Sequence, residues 1–177
     1  MNKYILAIAV VVSVVLGLRC GIAEGVRLSK AEKMEYMKAH DKNLYKYFKP
    51  IVKASYRFSV SPFLVASVIC VETGFVEHRT SSKGARGIAQ IMPSTGRALA
   101  RELGVKYEPS HADQSILFCA YYLERCLESW HWNRELGIAS YNCGVVRARH
   151  YKRIPETKAF VKRVMKCFKR YEKLYGE

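Results

Sequence analysis

An all-α fold is predicted by three features of the sequence. Apolar residues recur at helical spacing along most of the chain, no alternating strand pattern of useful length and no internal repeat interrupts them, and helix-start and helix-stop residues punctuate the segments. Taken together these predict one compact all-α domain with no internal linker.

The elements follow in order. Ser29 with Glu32 three positions later has the form of a capping box, so a first helix starts there. Leu44, Phe48, Ile51, Val52 and Tyr56 follow the 3.6-residue period, and Pro50 is expected to break or restart that helix. Ser61-Pro62 reads as an N-cap followed by proline at the first helical position. The segment from Phe63 to Val71 is nearly all apolar and predicts a central buried helix, ended by Gly74 as its C-terminal glycine. A polar loop follows over 77–86, then a short helical turn over 88–91. Further helices are expected from Pro93 or Ser94 to near Gly104, over 112–129, over 134–142 and over 156–175. The last carries Phe160, Val164, Phe168, Tyr171 and Tyr175 on one stripe, with lysines and arginines opposite.

With 177 residues, half of them apolar or aromatic, the chain can bury a core, which excludes a disordered or low-complexity protein. Its 30 Lys and Arg against 15 Asp and Glu give a net charge of +15, so an anionic partner is expected: nucleic acid, a membrane surface or an acidic polymer such as cell wall. Residues 1–23 read as a secretory signal. Lys3 forms the positive start, Tyr4 to Leu18 the apolar run, and Gly21 and Ala23 the small residues before a cleavage point. The run is short for a membrane span, which needs roughly 20 residues; an uncleaved anchor is the alternative, and only then is the membrane a partner. Arg19 directly before Cys20 does not suit a lipidation signal. Export to the periplasm or cell envelope directs the basic surface of 24–177 toward cell wall or membrane rather than nucleic acid.

Cys70, Cys119, Cys126, Cys143 and Cys167 lie beyond the signal. Their odd number prevents complete internal pairing, and none has CxxC spacing. Most read as small buried hydrophobes, with a Cys126–Cys167 bridge between neighbouring helices left open. The five histidines are scattered and no HExxH occurs, so no metal site and no cofactor is expected.

Glu72 is the acid best placed for chemistry. It ends a helix whose preceding two turns are apolar, so its carboxyl is expected to be partly desolvated and beside the negative helix end, and both effects raise its pKa. An acid still protonated near neutral pH can give a proton to a leaving group and take one back. The plain structural alternative is a glutamate at a frayed helix end, reaching solvent or pairing with Arg86.

Around it stand Glu72-Thr73-Gly74-Phe75, the segment Gly84-Ala85-Arg86-Gly87-Ile88-Ala89-Gln90-Ile91-Met92-Pro93-Ser94-Thr95, then Ala120-Tyr121-Tyr122-Leu123, Tyr141-Asn142-Cys143-Gly144, and Pro155-Glu156-Thr157-Lys158-Ala159-Phe160-Val161. In that order and spacing, over about residues 50 to 165, they resemble the soluble lytic transglycosylase family, which has the lysozyme-like fold. The resemblance implies that Glu72 is the single catalytic acid. It would protonate the glycosidic oxygen between N-acetylmuramic acid and N-acetylglucosamine, then deprotonate the muramic 6-hydroxyl, leaving a 1,6-anhydro end. An ordinary glycosidase needs two carboxylates; Asp113 and Glu77 are the nearest further acids and neither lies in a family motif. In the family the substrate's 2-acetamido group assists instead.

By the same resemblance, Gln90 and Met92 line the sugar groove, Tyr141 orients Glu72 or the substrate, and Asn142 bonds a sugar or braces a helix end. Thr73 stands where serine is usual, with a hydroxyl able to contact the acid. Glu156 reads first as a helix-start acid. Ile88-Ala89 in place of Leu-Met, Cys119 in place of a common glycine and Cys143 in place of alanine mark a repacked core. The expected partner is the peptidoglycan glycan strand, with local wall opening for a secretion, conjugation or pilus apparatus as the role that a bare domain suggests. A hydrolase of the same fold and a non-catalytic wall-binding protein are the competing classes.

Overall fold

The computed structural model describes residues 28–176. The signal assigned to 1–23 and Cys20 lie outside the described residues. The chain divides into two compact units, Met1–Asp41 and Lys42–Glu177. The described part of the first is helix α1 (Lys30–His40), opened by the full capping box: the Ser29 hydroxyl accepts from Glu32 N, and the Glu32 carboxylate accepts from Ser29 N at 2.8 Å.

The second unit holds α2 (Lys42–Arg57), α3 (Pro62–Thr73), α4 (Pro93–Glu102), α5 (Ala112–Glu128), α6 (Arg134–Cys143), the short α7 (Val145–Ala148), a 3-10 turn over Tyr151–Arg153, and α8 (Pro155–Tyr175). Among the described residues the only β pairing is a pair of isolated bridges, Thr80 with Arg86 and Arg86 with Ile91. The fold is all-α, as expected.

Helix α3 is central. Leu64, Val65, Ala66, Val68 and Ile69 are buried on every side of it, and α8, α2 and α5 pack around it. Burying each of the larger of these side chains contributes roughly 1.5–3 kcal/mol, so the helix that ends at Glu72 is anchored far more firmly than the loop beyond it. Its start differs from expectation in one detail. Ser61 caps through its backbone carbonyl, which accepts from Leu64 N and Val65 N at 3.0 and 3.1 Å, and not through its side chain. Pro62 supplies the first helical position, where a missing N–H costs nothing.

One further expectation is corrected, and one point left open is resolved. Pro50 lies inside α2 without ending it. Packing of the apolar face outweighs the one lost backbone bond. That face also turns differently: Leu44, Tyr47, Ile51, Ala54 and Ser55 are buried, while Tyr56 is 83 % exposed. The buried set repeats in steps of three and four from Leu44 through Tyr47, which shifts the stripe away from Tyr56. The cysteines are the second case. None of the described cysteines is in a disulfide, and Cys167 of α8 meets Cys70 of α3 rather than Cys126, because α3 and α8 are direct neighbours in the packing.

Candidate functional site

The glutamate at the end of α3 is positioned by its two flanks. Behind it lies the apolar helix. Ahead lies Gly74, left-handed at φ 63° and ψ 30°, whose N–H returns to the Cys70 carbonyl at 2.9 Å and stops the helix one residue after Thr73. Glu72 is therefore half-buried, and it lines a cleft of about 560 Å3. Desolvation raises its pKa from the ordinary 4.5 to about 7; Arg163 on α8 opposes that shift and Glu156 adds to it. Its strongest cationic neighbour is thus Arg163, not Arg86.

The opposite wall is the loop that precedes α4. It turns at Gly87, where φ is +76° and a Cβ would come within 2.7 Å of the Pro109 carbonyl and 2.9 Å of Ser115 Oγ, so no other residue fits. The turn over 87–90 ends with Gln90 in the left-handed region, at φ 50°. This bends the Gln90 side chain back, and its Nε2 donates to the Gly87 carbonyl at 2.9 Å and the Arg79 carbonyl at 3.0 Å. Arg86 and Ile91 then exchange backbone bonds at 3.0 and 3.1 Å.

Three helices clamp this loop by side chain to backbone bonds. Thr73 Oγ1 of α3 donates to the Ile88 carbonyl at 2.7 Å. Tyr141 Oη of α6 donates to the Ala89 carbonyl at 2.9 Å. Ser115 Oγ of α5 accepts from Ala89 N at 3.2 Å. Each bond satisfies a backbone group that has little access to water, so losing one costs more than forming it gains.

The structure brings five of the expected residues to one cleft: Glu72, Gln90, Met92, Tyr141 and Asn142 all line it. Met92, 42 % exposed, offers an apolar side chain at the start of α4. Asn142 Oδ1 accepts from Thr157 Oγ1 at 2.7 Å, which ties α6 to the first turn of α8. Thr73 is the exception. It is buried, its hydroxyl is committed to the loop carbonyl, and it is not part of the cleft wall. The serine-like contact to the acid is replaced by a brace. Tyr141 lies in the cleft and close to Glu72, but its proton goes to the Ala89 carbonyl, and its ring is tilted against Tyr122 at 5.2 Å.

Sequence reasoning gave no site role to Tyr122, Thr95, Ser81, Ser82 and Lys83, which also line the cleft. Tyr122 lay within a quoted motif and could have been read from it. The serines carried no signal beyond loop polarity. Ser115 was legible only as the one small polar residue preceding an apolar run in α5. Glu156 is the second carboxylate of the cleft, in the first turn of α8 and 3.4 Å from Lys83. Glu77 is held by Lys46 and Tyr47 instead, and Asp113 starts α5. Among the described residues no group of three or more His, Cys, Asp or Glu side chains gathers to hold a metal ion, and no helix is long and apolar enough to cross a membrane.

Comparison with known proteins places this geometry. Residues 49–164, about two thirds of the chain, match the model of the transglycosylase SLT domain. Among solved structures, the 70 kDa soluble lytic transglycosylase of Escherichia coli superposes with a TM-score of 0.69 at 19 % identity, covering 84 % of this chain and 31 % of that one. An inactive glutamate-to-glutamine mutant of the lytic transglycosylase Slt from Pseudomonas aeruginosa gives 0.66 at 19 % identity, over 91 % and 30 %. A complex of the 70 kDa enzyme with bulgecin A gives 0.69 at 18 % identity, over 85 % and 31 %. The chain thus spans about a third of the length of these structural relatives and shares their all-α, lysozyme-like fold. With its matched segment enclosing both walls of the Glu72 cleft, the chain belongs to the transglycosylase SLT domain family.

Proposed function

We propose that this protein is a peptidoglycan lytic transglycosylase with Glu72 as its single general acid and base. The observation that carries the reading is a desolvated carboxyl, with a pKa of about 7, in the wall of a polysaccharide-sized cleft. At neutral pH such a group is divided between its two forms, so it can serve in both directions. Protonated Glu72 donates to the glycosidic oxygen as the bond from the muramic C1 breaks, releasing the N-acetylglucosamine hydroxyl. The resulting carboxylate takes the proton of the muramic 6-hydroxyl as that oxygen bonds to C1. Glu72 ends protonated, the product is a 1,6-anhydro end, and no water is consumed. Arg163 steadies the carboxylate between the two steps. Gln90, Met92, Tyr122, Tyr141 and Asn142 are the proposed sugar-contacting wall, with Thr73 as a positioning residue behind it. An inactive glutamate-to-glutamine mutant of the Pseudomonas aeruginosa protein agrees with the idea of one essential glutamate.

This activity requires export to the cell envelope, in keeping with the secretory signal read in residues 1–23, and the envelope-spanning secretion, conjugation or pilus apparatus remains the proposed setting. The presence of Glu156 in the cleft favours one second reading, a lysozyme-type hydrolase in which another carboxylate activates water. Its pairing with Lys83 at the exposed rim argues for the first. Mass spectrometry of peptidoglycan digested by wild type and by Glu72→Gln separates them. Muropeptides lighter than hydrolytic products by one water, absent with the variant, are expected. Products that carry the water establish the hydrolase, and no products from either protein leave a wall-binding module.

A further inference from the structure

We propose that Cys70 and Cys167 form a disulfide-forming pair that ties α3 to α8. The two helices pack directly on one another, and their antiparallel register is fixed by contacts at both ends. Phe63 of α3 meets Tyr175 of α8, ring centroids 6.4 Å apart, and Glu72 faces the charge of Arg163. Between these, at the same level of the pair, lie Cys70, just before Glu72 on α3, and Cys167, one turn beyond Arg163 on α8, and the two thiols are near enough to act on each other. Ser67, one turn earlier on α3, also reaches Cys167. Cys70, Cys167 and Cys143 are half-buried, whereas Cys119 and Cys126 are buried, so an external reagent reaches the pair more readily than it reaches those two.

The reaction is thiol–disulfide exchange with a soluble disulfide such as oxidised glutathione. One cysteine thiolate attacks the reagent and releases one reduced thiol, leaving a mixed disulfide. The second cysteine thiolate attacks that bond and releases the other reduced thiol. The protein loses two hydrogens and the reagent gains them. The closed loop, on the order of 100 residues, would contain every residue that lines the Glu72 cleft. The neighbouring Cys70 thiol and then burial hold Cys167 in its protonated form, so exchange is expected to quicken as pH rises.

The test uses the full chain, reduced and then incubated with oxidised glutathione at alkaline pH. Peptide mapping after alkylation is expected to yield one cross-linked product joining the Cys70 and Cys167 peptides. The oxidised protein is expected to melt about 10 °C above the reduced one. Cys167→Ala should abolish both, and Cys70→Ser serves if that variant does not fold. The proposal is overturned if both thiols stay open to alkylation, if only glutathione adducts form, if the cross-link joins another pair such as Cys126 and Cys143, or if the melting temperature does not move.

Discussion

Glu72 and Glu77 are five residues apart, and the chain treats them in opposite ways. Glu72 ends a helix buried on all sides, and desolvation lifts its pKa to about 7. Glu77 lies in the loop beyond Gly74, where Lys46 and Tyr47 both donate to its Oε1 and hold its pKa below the ordinary value. The same functional group is thus made an acid in one place and a fixed charge in the other, by solvent exclusion in the first and donated hydrogen bonds in the second. Of the two, only the first is poised to exchange a proton at neutral pH, as the proposed mechanism requires.

The largest test of this contrast is Glu72→Gln. Glycan-cleaving activity should fall by about a thousandfold, measured by release of muropeptides. Stability should move the other way. The folded pKa lies above the unfolded one, so the wild type retains its full stability below pH 4.5 and loses part of it as pH rises to about 7. A shift of this size corresponds to about 3 kcal/mol. The variant should therefore melt about 5–10 °C above wild type at pH 8 and level with it at pH 4. Equal melting at both pH values would mean that Glu72 is not desolvated.

Next come the charges that tune it. Arg163→Ala removes the cation that favours ionised Glu72, so the alkaline limb of the pH–rate profile should move up by about half a unit; Glu156→Gln should move it down by a similar amount. Shifts in the reversed directions would place the essential acid elsewhere. A smaller effect is expected from the clamp on the opposite wall. Thr73→Val keeps the shape and orphans the buried Ile88 carbonyl, at about 1–3 kcal/mol, and Tyr141→Phe does the same to Ala89. Thermal melts measure the loss, and the double variant tests whether the two clamps act on one loop.

How much of this could be read in the sequence follows from the range of each interaction. The glycine at 87 answers to Pro109 and Ser115, far along the chain, but the burial of Glu72 and the stop at Gly74 depend on residues within a few positions, and there the local pattern sufficed. The directions of the Thr73 and Tyr141 hydroxyls did not, because their acceptors lie 15 and 52 residues away on a loop whose shape is set by the left-handed Gly87 and Gln90. Pro50 was misjudged for a related reason: a local cost was weighed without the packing of α2 that offsets it. Glu156 and Cys167 needed the register of α8 against α3, which no single segment contains.

Glu77→Gln gives the smallest expected effect and the sharpest control. Its ion pair with Lys46, 2.8 Å long, lies where Lys46 is largely exposed, and pairs of that kind contribute little. Cleavage rate and its pH dependence should match wild type. Stability should differ only slightly at neutral pH and converge with wild type as pH falls through the depressed pKa of Glu77, because the contribution of a carboxylate held ionised is lost on protonation. The two glutamates would then show opposite pH dependences of stability, Glu72 destabilising as it ionises and Glu77 as it is neutralised. A displaced pH–rate limb in Glu77→Gln would mean instead that the loop beyond Gly74 carries charge to the cleft, and that the acid at the end of α3 is not tuned by burial, Arg163 and Glu156 alone.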